Sequence, residues 1–275
     1  MSKCKIVAEI GINHNGDMKI AQELIDVAAN ANCDYVKFQK RTIDLVYTPE
    51  ELATPRENPF GPTNGDLKRG LEFDKEEYQE ITEYCESRDI GWFASPWDVE
   101  SVKVLKDLNV PYMKVASAML TDFDILEEMR FTNIPVILST GMSTYEEVNA
   151  AVKYFGPQIA YILACTATYP TPPEESNINF IKTLKMDYPD YKIGFSNHSP
   201  GLTNMIAAAA LGIEMLEFHI TLDRSMFGSD QSASIEPEGT RKIVKHVRHL
   251  ETAMGDGEWT VFPSEVPIKA KLRKK

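Results

Sequence analysis

The strongest constraint in this sequence is its alternation. Short apolar runs and amphipathic segments follow one another from end to end with a single long interruption. Lys5–Ile10, Tyr35–Gln39, Gly91–Ser95, Tyr112–Ala116, Pro135–Ser139, Ile159–Ala164, the start of Lys192–Gly201 and Met215–Ile220 read as strands. Helical segments follow them: from Asp17, a capping residue, to about Asn30, then Asp74–Ser87, Asp98–Asp107, Phe123–Arg130, Thr144–Phe155, Asn177–Met186, Leu202–Leu211 and Pro237–Met254. In the first of these, Ile20, Leu24, Ile25 and Ala28 form one apolar stripe. Strand–helix repetition of this kind implies parallel strands joined by right-handed crossovers. Eight such units within about 255 residues match the size of a (β/α)8 TIM barrel. An open doubly wound sheet is the competing architecture, but no Gly-rich fingerprint follows the first strand. The expectation is one α/β barrel domain over residues 1–255, followed by a C-terminal extension over 256–275. The interruption, Arg41–Phe73, is rich in Pro, Gly and Asn with little periodicity, and is expected to be a lid or binding loop.

Composition excludes several classes of function. Hydrophobic residues at 43% and charged residues at 25% describe an ordinary globular protein, and no apolar run approaches a membrane span. A net charge of −12 argues against nucleic-acid binding, while leaving room for an anionic substrate held by a few local lysines. Without a signal-peptide pattern, the cytoplasm is the expected location. Cys4, Cys33, Cys85 and Cys165 lack metal-ligand spacing and read as free thiols. The basic end, Lys269–Lys275, reads as a solvated tail.

In a barrel the active site lies at the C-terminal ends of the strands, and polar residues gather there. The first strand carries Glu9, the second Lys37 and Gln39 on one face, the third ends at Ser95 and the fourth carries Lys114 with Ser117 beyond it. The fifth ends at Ser139, the sixth runs towards Thr166 and Tyr169, the seventh bears Ser196 and His198, and the eighth Glu217 and His219. A lysine inside a barrel costs several kcal/mol unless a carboxylate or another anion pairs with it. Two such lysines among hydroxyls describe a pocket for phosphate or carboxylate, and pairing of a strand lysine with a strand glutamate is the simpler alternative. His198 and His219 sit at adjacent tips, where they could share a metal ion or act as ordinary hydrogen-bonded core residues. His14 lies in a turn and reads as either structural or functional, His246 and His249 as surface residues, and Trp92, Trp97 and Trp259 as core or rim packing. No Gly-x-Ser-x-Gly elbow and no Walker loop is present.

Ordered motifs then make the chain recognisable: Ala-Glu-Ile-Gly-Ile-Asn-His-Asn-Gly-Asp (8–17), Val-Lys-Phe-Gln (36–39), Lys-Val-Ala-Ser (114–117) and Ile-Leu-Ser-Thr-Gly-Met (137–142). Cys-Thr-Ala-Thr-Tyr-Pro-Thr-Pro (165–172), Phe-Ser-Asn-His-Ser (195–199), Leu-Glu-Phe-His-Ile-Thr (216–221) and Gly-Ser-Asp (228–230) follow. Over nearly its whole length the chain resembles the sialic acid synthase family. The resemblance implies condensation of phosphoenolpyruvate with an aldose, N-acetylmannosamine or a relative, to give a nonulosonic acid and phosphate. It implies a divalent cation, Mn2+ or Mg2+, held by His198 and His219. Lys37, Ser95, Lys114, Ser117, Ser139 and Ser196 match positions that hold phosphoenolpyruvate. Gln39, Tyr169, Glu217 and Asp230 match positions near the sugar or metal, and Glu9 matches an acidic residue beside the reacting carbons. The resemblance also implies a homodimer. Two departures stand out. The chain ends within what resembles the start of the linker to the family's antifreeze-like domain, so a separate subunit could supply that domain. Met119 also replaces a frequent acidic residue.

Two other readings compete. A metal-dependent sugar isomerase or hydrolase barrel would not need Lys37 and Lys114. A catalytically inactive sugar-binding subunit would explain the altered acceptor side, although every matched phosphoenolpyruvate position is retained.

Overall fold

A computed structural model of the chain describes residues 3–273. Eight parallel strands close into a barrel in the order β1, β8, β7, β6, β5, β4, β3, β2. They are β1 (Lys5–Gly11), β2 (Tyr35–Lys40), β3 (Gly91–Pro96), β4 (Met113–Val115), β5 (Val136–Ser139), β6 (Ile159–Cys165), β7 (Ile193–Asn197) and β8 (Met215–His219). A helix follows each: α1 (Met18–Asn30), α2 (Lys75–Ser87), α3 (Val99–Asp107), α4 (Phe123–Thr132), α5 (Tyr145–Phe155), α6 (Phe180–Asp187), α7 (Thr203–Ala210) and α8 (Pro237–Ala253). The alternation read from the sequence is therefore the fold. Asp17 caps α1 as expected, its carboxylate accepting from the Lys19 amide at 2.8 Å. Ala21, Leu24, Ile25 and Ala28 form the buried stripe of α1 against the barrel.

Register sets which side chains meet. Glu9 pairs in register with His219 on one side and Lys37 on the other, Glu217 with Ser196, and Gln39 with Ser95. Because parallel strands share one direction, these residues arrive together at the same end of the barrel.

The segment between β2 and α2 corrects the sequence reading. Expected as a lid or binding loop with little periodicity, it holds regular structure of its own: short helices at Ile43–Val46, Pro49–Ala53 and Asn64–Gly70, and a hairpin of Pro55–Asn58 with Gly61–Thr63. Local capping accounts for these pieces. Thr48 and Glu51 form a reciprocal capping box with Pro49 behind the cap, and Thr63 and Asp66 form another. Helices this short leave no periodic signature. Glu72 ties the ends of the insertion together, taking Lys40 at 2.6 Å and the Arg41 amide at 3.0 Å. Gly16 lets the insertion press on the turn after β1: its φ is +68°, and a Cβ there would lie 1.8 Å from the Gly70 carbonyl oxygen.

The opposite end of the barrel is fastened by ions. Arg248 of α8 reaches Asp34 at 2.7 Å, Glu251 at 2.8 Å and the Cys4 carbonyl at 2.7 Å. Asp34 also accepts from the Ile6 amide at 2.9 Å. All four cysteines are free thiols. His246 and His249 are exposed. Trp92 is buried and donates to Thr82, and Trp97 lies at the rim. Trp259, expected to pack, is instead fully exposed, because the segment it occupies lies off the barrel with every residue from 254 to 273 exposed. The basic tail is solvent-facing through Arg273, although Glu265–Leu272 forms a helix; Lys274 and Lys275 lie outside the described residues. Among the described residues, no helix is long and apolar enough to cross a membrane.

Candidate active site

A cavity of about 150 Å³ opens at the C-terminal end of the strands. Glu9, Lys37, Gln39, Ser95, Lys114, Ser117, Ser139, Tyr169, Ser196, His198, Glu217 and His219 all line it. Asp230 stands just behind, its carboxylate 3.8 Å from His219 Nδ1. Sequence reasoning had assigned no role to Cys165, Met142, Ala116, Ala118 or Ala167, which complete the wall with Trp97. Cys165 follows the strand parity that places Leu163 in register with Ser139, so period-2 counting along β6 could have found it. Met119 packs against the core from the turn after β4 and does not line the cavity. His14 is structural: it stacks on Phe73 at 4.1 Å, accepts from the Gly16 amide, and burial drives its pKa down to about 3.

Both interior lysines have carboxylate partners. Lys37 lies 2.7 Å from Glu9 and donates to Ser95 at 3.3 Å, while Lys114 lies 2.8 Å from Glu217. Gln39 donates to the other Glu9 oxygen at 3.0 Å, and Arg41, stacked on Trp97 at 4.2 Å, donates to the Gln39 carbonyl. Ser196 donates to Glu217 at 2.9 Å. Burial alone would raise the Glu217 pKa, but Lys114 and Lys37 outweigh it and hold the carboxyl well below its usual range. For Glu9 burial wins over Lys37, and its pKa rises.

The pairing does not exhaust the cluster. An ammonium has three donors, and Lys114 uses one of them within the protein. Ser139 Oγ, Glu217 Oε2 and His219 Nδ1 are buried without any hydrogen-bond partner. Buried polar atoms are nearly always satisfied, so several orphans facing one cavity point to a polar ligand.

The hydrogen bonds of the two histidines suit a cation site. His198 Nδ1 lies 2.6 Å from the Thr166 carbonyl oxygen, which can only accept, so Nδ1 carries the proton. Its Nε2 lone pair then faces the cavity and takes the Tyr169 hydroxyl at 2.7 Å. A metal-ligating imidazole is oriented in this way. Burial lowers the His198 pKa, but Cys165, with Sγ 3.8 Å from Nδ1, outweighs it and the net shift is upward. Burial pushes His219 down to about 3, so it is neutral, as a ligand must be. The ring centroids are 5.6 Å apart. Among the described residues no group of three or more His, Cys, Asp or Glu is gathered as a metal site. The residues fit a divalent cation that takes two protein nitrogens and completes its shell with water or substrate oxygens.

Comparison with known proteins places this geometry. Residues 24–259 match the NeuB family. The chain is 38% identical to the N-acetylneuraminate-9-phosphate synthase of Homo sapiens, over 98% of its own length and 77% of that protein's. It is 32% identical to the N,N'-diacetyllegionaminic acid synthase of Legionella pneumophila, over 98% of this chain and 79% of the other. The crystal structure of the N-acetylneuraminic acid synthetase of Leptospira borgpetersenii, solved in complex with citrate, superposes with a TM-score of 0.86 at 30% identity, covering all of this chain and 94% of that one. The family resemblance in the motifs and the barrel in the structure thus agree: the chain belongs to the NeuB family and is, like its named relatives, a synthase.

Proposed function

We propose that this protein condenses phosphoenolpyruvate with an N-acetylmannosamine-like aldose, in a metal-dependent reaction, to give a 3-deoxy-2-keto sugar acid and phosphate. The observation that carries the reading is the cluster of lysine donors and orphaned buried atoms facing one cavity beside two cation-ready imidazoles. Isomerisation or hydrolysis of a sugar would leave Lys37 and Lys114 without a task.

Lys114, with donors to spare, and Ser139, with an unpartnered hydroxyl, bind the phosphate and carboxylate oxygens of phosphoenolpyruvate. Ser95, Ser117 and Ser196 orient it by further hydrogen bonds. Lys37 bridges this group to Glu9. His198 and His219 would hold a divalent cation, which would supply Lewis-acid polarisation at the aldehyde oxygen. Carbon C3 of phosphoenolpyruvate attacks the aldehyde carbon, and positive charge develops at C2. Glu217, kept ionised by the two lysines, and Glu9 face that charge across the cavity. Glu9, whose pKa burial raises, is the group assigned to proton transfer as water adds at C2 and phosphate leaves. Tyr169, Gln39 and Asp230 lie where the sugar hydroxyls would be read.

The test is phosphate release from phosphoenolpyruvate with Mn2+ and a panel of free and phosphorylated aldoses. Metal-dependent release with at least one aldose is expected, and none with any would remove the assignment. His198→Ala should abolish release with the circular dichroism spectrum retained. Lys114→Ala should weaken use of phosphoenolpyruvate by about a hundredfold or more in kcat/KM.

A further inference from the structure

Arg41 opens the insertion after β2, and through it the insertion meets the active site. The backbone is pinned on both sides of this point: the Arg41 amide donates to Glu72 at 3.0 Å, and the Thr42 amide donates to Asp98 at 2.6 Å. The side chain is half-buried. Its guanidinium lies over the Trp97 ring, 4.2 Å from the centroid, and donates through Nη2 to the Gln39 side-chain oxygen, while Nε is buried without a partner. Trp97 is fixed in turn by its own amide, which donates to the Lys40 carbonyl at 3.0 Å.

A guanidinium can only donate. The Gln39 oxygen must therefore face Arg41, and Nε2 must face the other way, where it donates to Glu9 Oε1 at 3.0 Å. Gly11 leaves room for that hydrogen bond: its φ is +56°, and a Cβ there would lie 3.2 Å from Glu9 Oε1 and 3.3 Å from Gln39 Nε2. The amide nitrogen carries two N–H groups, and Gln39 spends one on Glu9, so the second is left for the cavity that Gln39 lines. Turned end for end, the same amide would set its oxygen against the Glu9 carboxylate and offer the cavity no donor. The two arrangements have nearly the same shape, so packing does not choose between them. A donor fixed on the oxygen side does.

Resting on the synthase reading above, we propose that Arg41 is a positioning residue for the condensation, locking the Gln39 amide so that its N–H groups meet Glu9 and an oxygen of the acceptor sugar. Arg41 is not among the residues that line the cavity, so it acts through Gln39, and the Trp97 ring holds the guanidinium in place. The insertion thereby has a hold on the reaction. Glu72, which ties its two ends together, also fixes the backbone from which Arg41 reaches.

The test is a double-mutant cycle on phosphate release with phosphoenolpyruvate, Mn2+ and the most active aldose of the panel. Arg41→Met keeps an apolar stem against Trp97 and removes the donors. It should lower kcat about tenfold or more, with KM for phosphoenolpyruvate held within about twofold. In a Gln39→Ala background the same change should cost nothing further, within about twofold. Arg41→Lys, which restores a donor, should recover most of the loss. An equal loss in both backgrounds, an unchanged kcat, or a lysine variant no better than the methionine one would overturn the assignment. A second readout needs no turnover. The Gln39 side-chain amide protons, identified in NMR spectra by their absence from Gln39→Ala, should exchange with solvent at least about tenfold faster in Arg41→Met than in the parent. Failure of the parent to release phosphate from any aldose removes the synthase reading, while the exchange rates still decide the hold on Gln39. Release by the parent with unchanged exchange in Arg41→Met removes the positioning role alone.

Discussion

Ser139 shows how a single atom can report a ligand. Its hydroxyl is buried at the tip of β5, lines the cavity and has no hydrogen-bond partner. Folding strips water from that oxygen and gives nothing back, so Ser139→Ala should leave stability unchanged within about 0.5 kcal/mol, or raise it slightly. If the hydroxyl is held for phosphoenolpyruvate, the same change should raise KM for that substrate about tenfold, since a hydrogen bond to a charged group is worth about 1.5–3 kcal/mol. Urea denaturation and initial-rate kinetics on one preparation check both halves; a clear loss of stability would mean that the hydroxyl has a structural partner. The identity of this residue was legible from its strand-end position. Its orphaned state was not, because whether a hydroxyl finds a partner depends on neighbours brought in from other strands.

Elements that announce themselves by periodicity were read correctly, and elements held by local chemistry or distant contacts were not. Strands β1 to β8 and helices α1 to α8 emerged from alternation and apolar stripes, whereas the helices of the 41–73 insertion are too short to show a stripe. The pairing of Lys114 on β4 with Glu217 on β8 joins strands that are not neighbours in the sheet, so it depends on barrel closure and could not be counted along the chain. The clamp of α8 onto β1 is of the same kind. Arg248 is partly exposed and linked to Asp34, Glu251 and the Cys4 carbonyl, so Arg248→Ala should cost about 1–3 kcal/mol in urea unfolding. Burial pushes the Asp34 pKa up, but the Ile6 amide, Lys5 and Arg248 outweigh it, and the folded value lies below the ordinary one. Its contribution is therefore complete above a pH of about 4 and is lost as pH falls through the lower folded value. The Arg248→Ala protein should show a shallower acid loss than the parent; parallel acid slopes would mean that Arg248 does not set the Asp34 pKa.

At the scale of the whole molecule, the barrel is divided by task. Its core is apolar except at one end, where Glu9, Lys37, Lys114 and Glu217 are almost completely buried. Two ion pairs in such a place are a poor device for stability, because the cost of removing each charge from water rivals the attraction gained. Their persistence makes sense if the site needs fixed charges before substrate arrives. Removing one partner strands the other, so Lys114→Met should destabilise the fold by about 3–5 kcal/mol. Removing both should not: Lys114→Met/Glu217→Met should melt within a few degrees of the parent, or above it, while releasing no phosphate from phosphoenolpyruvate. Residual Lys37 keeps Glu9 as its partner in that variant, so no new orphaned charge is created. Thermal melts of the parent, the single and the double variants decide the matter. If the double variant falls as far as the single one, the pair is a structural strut, and the separation of stability from chemistry within this barrel is wrong.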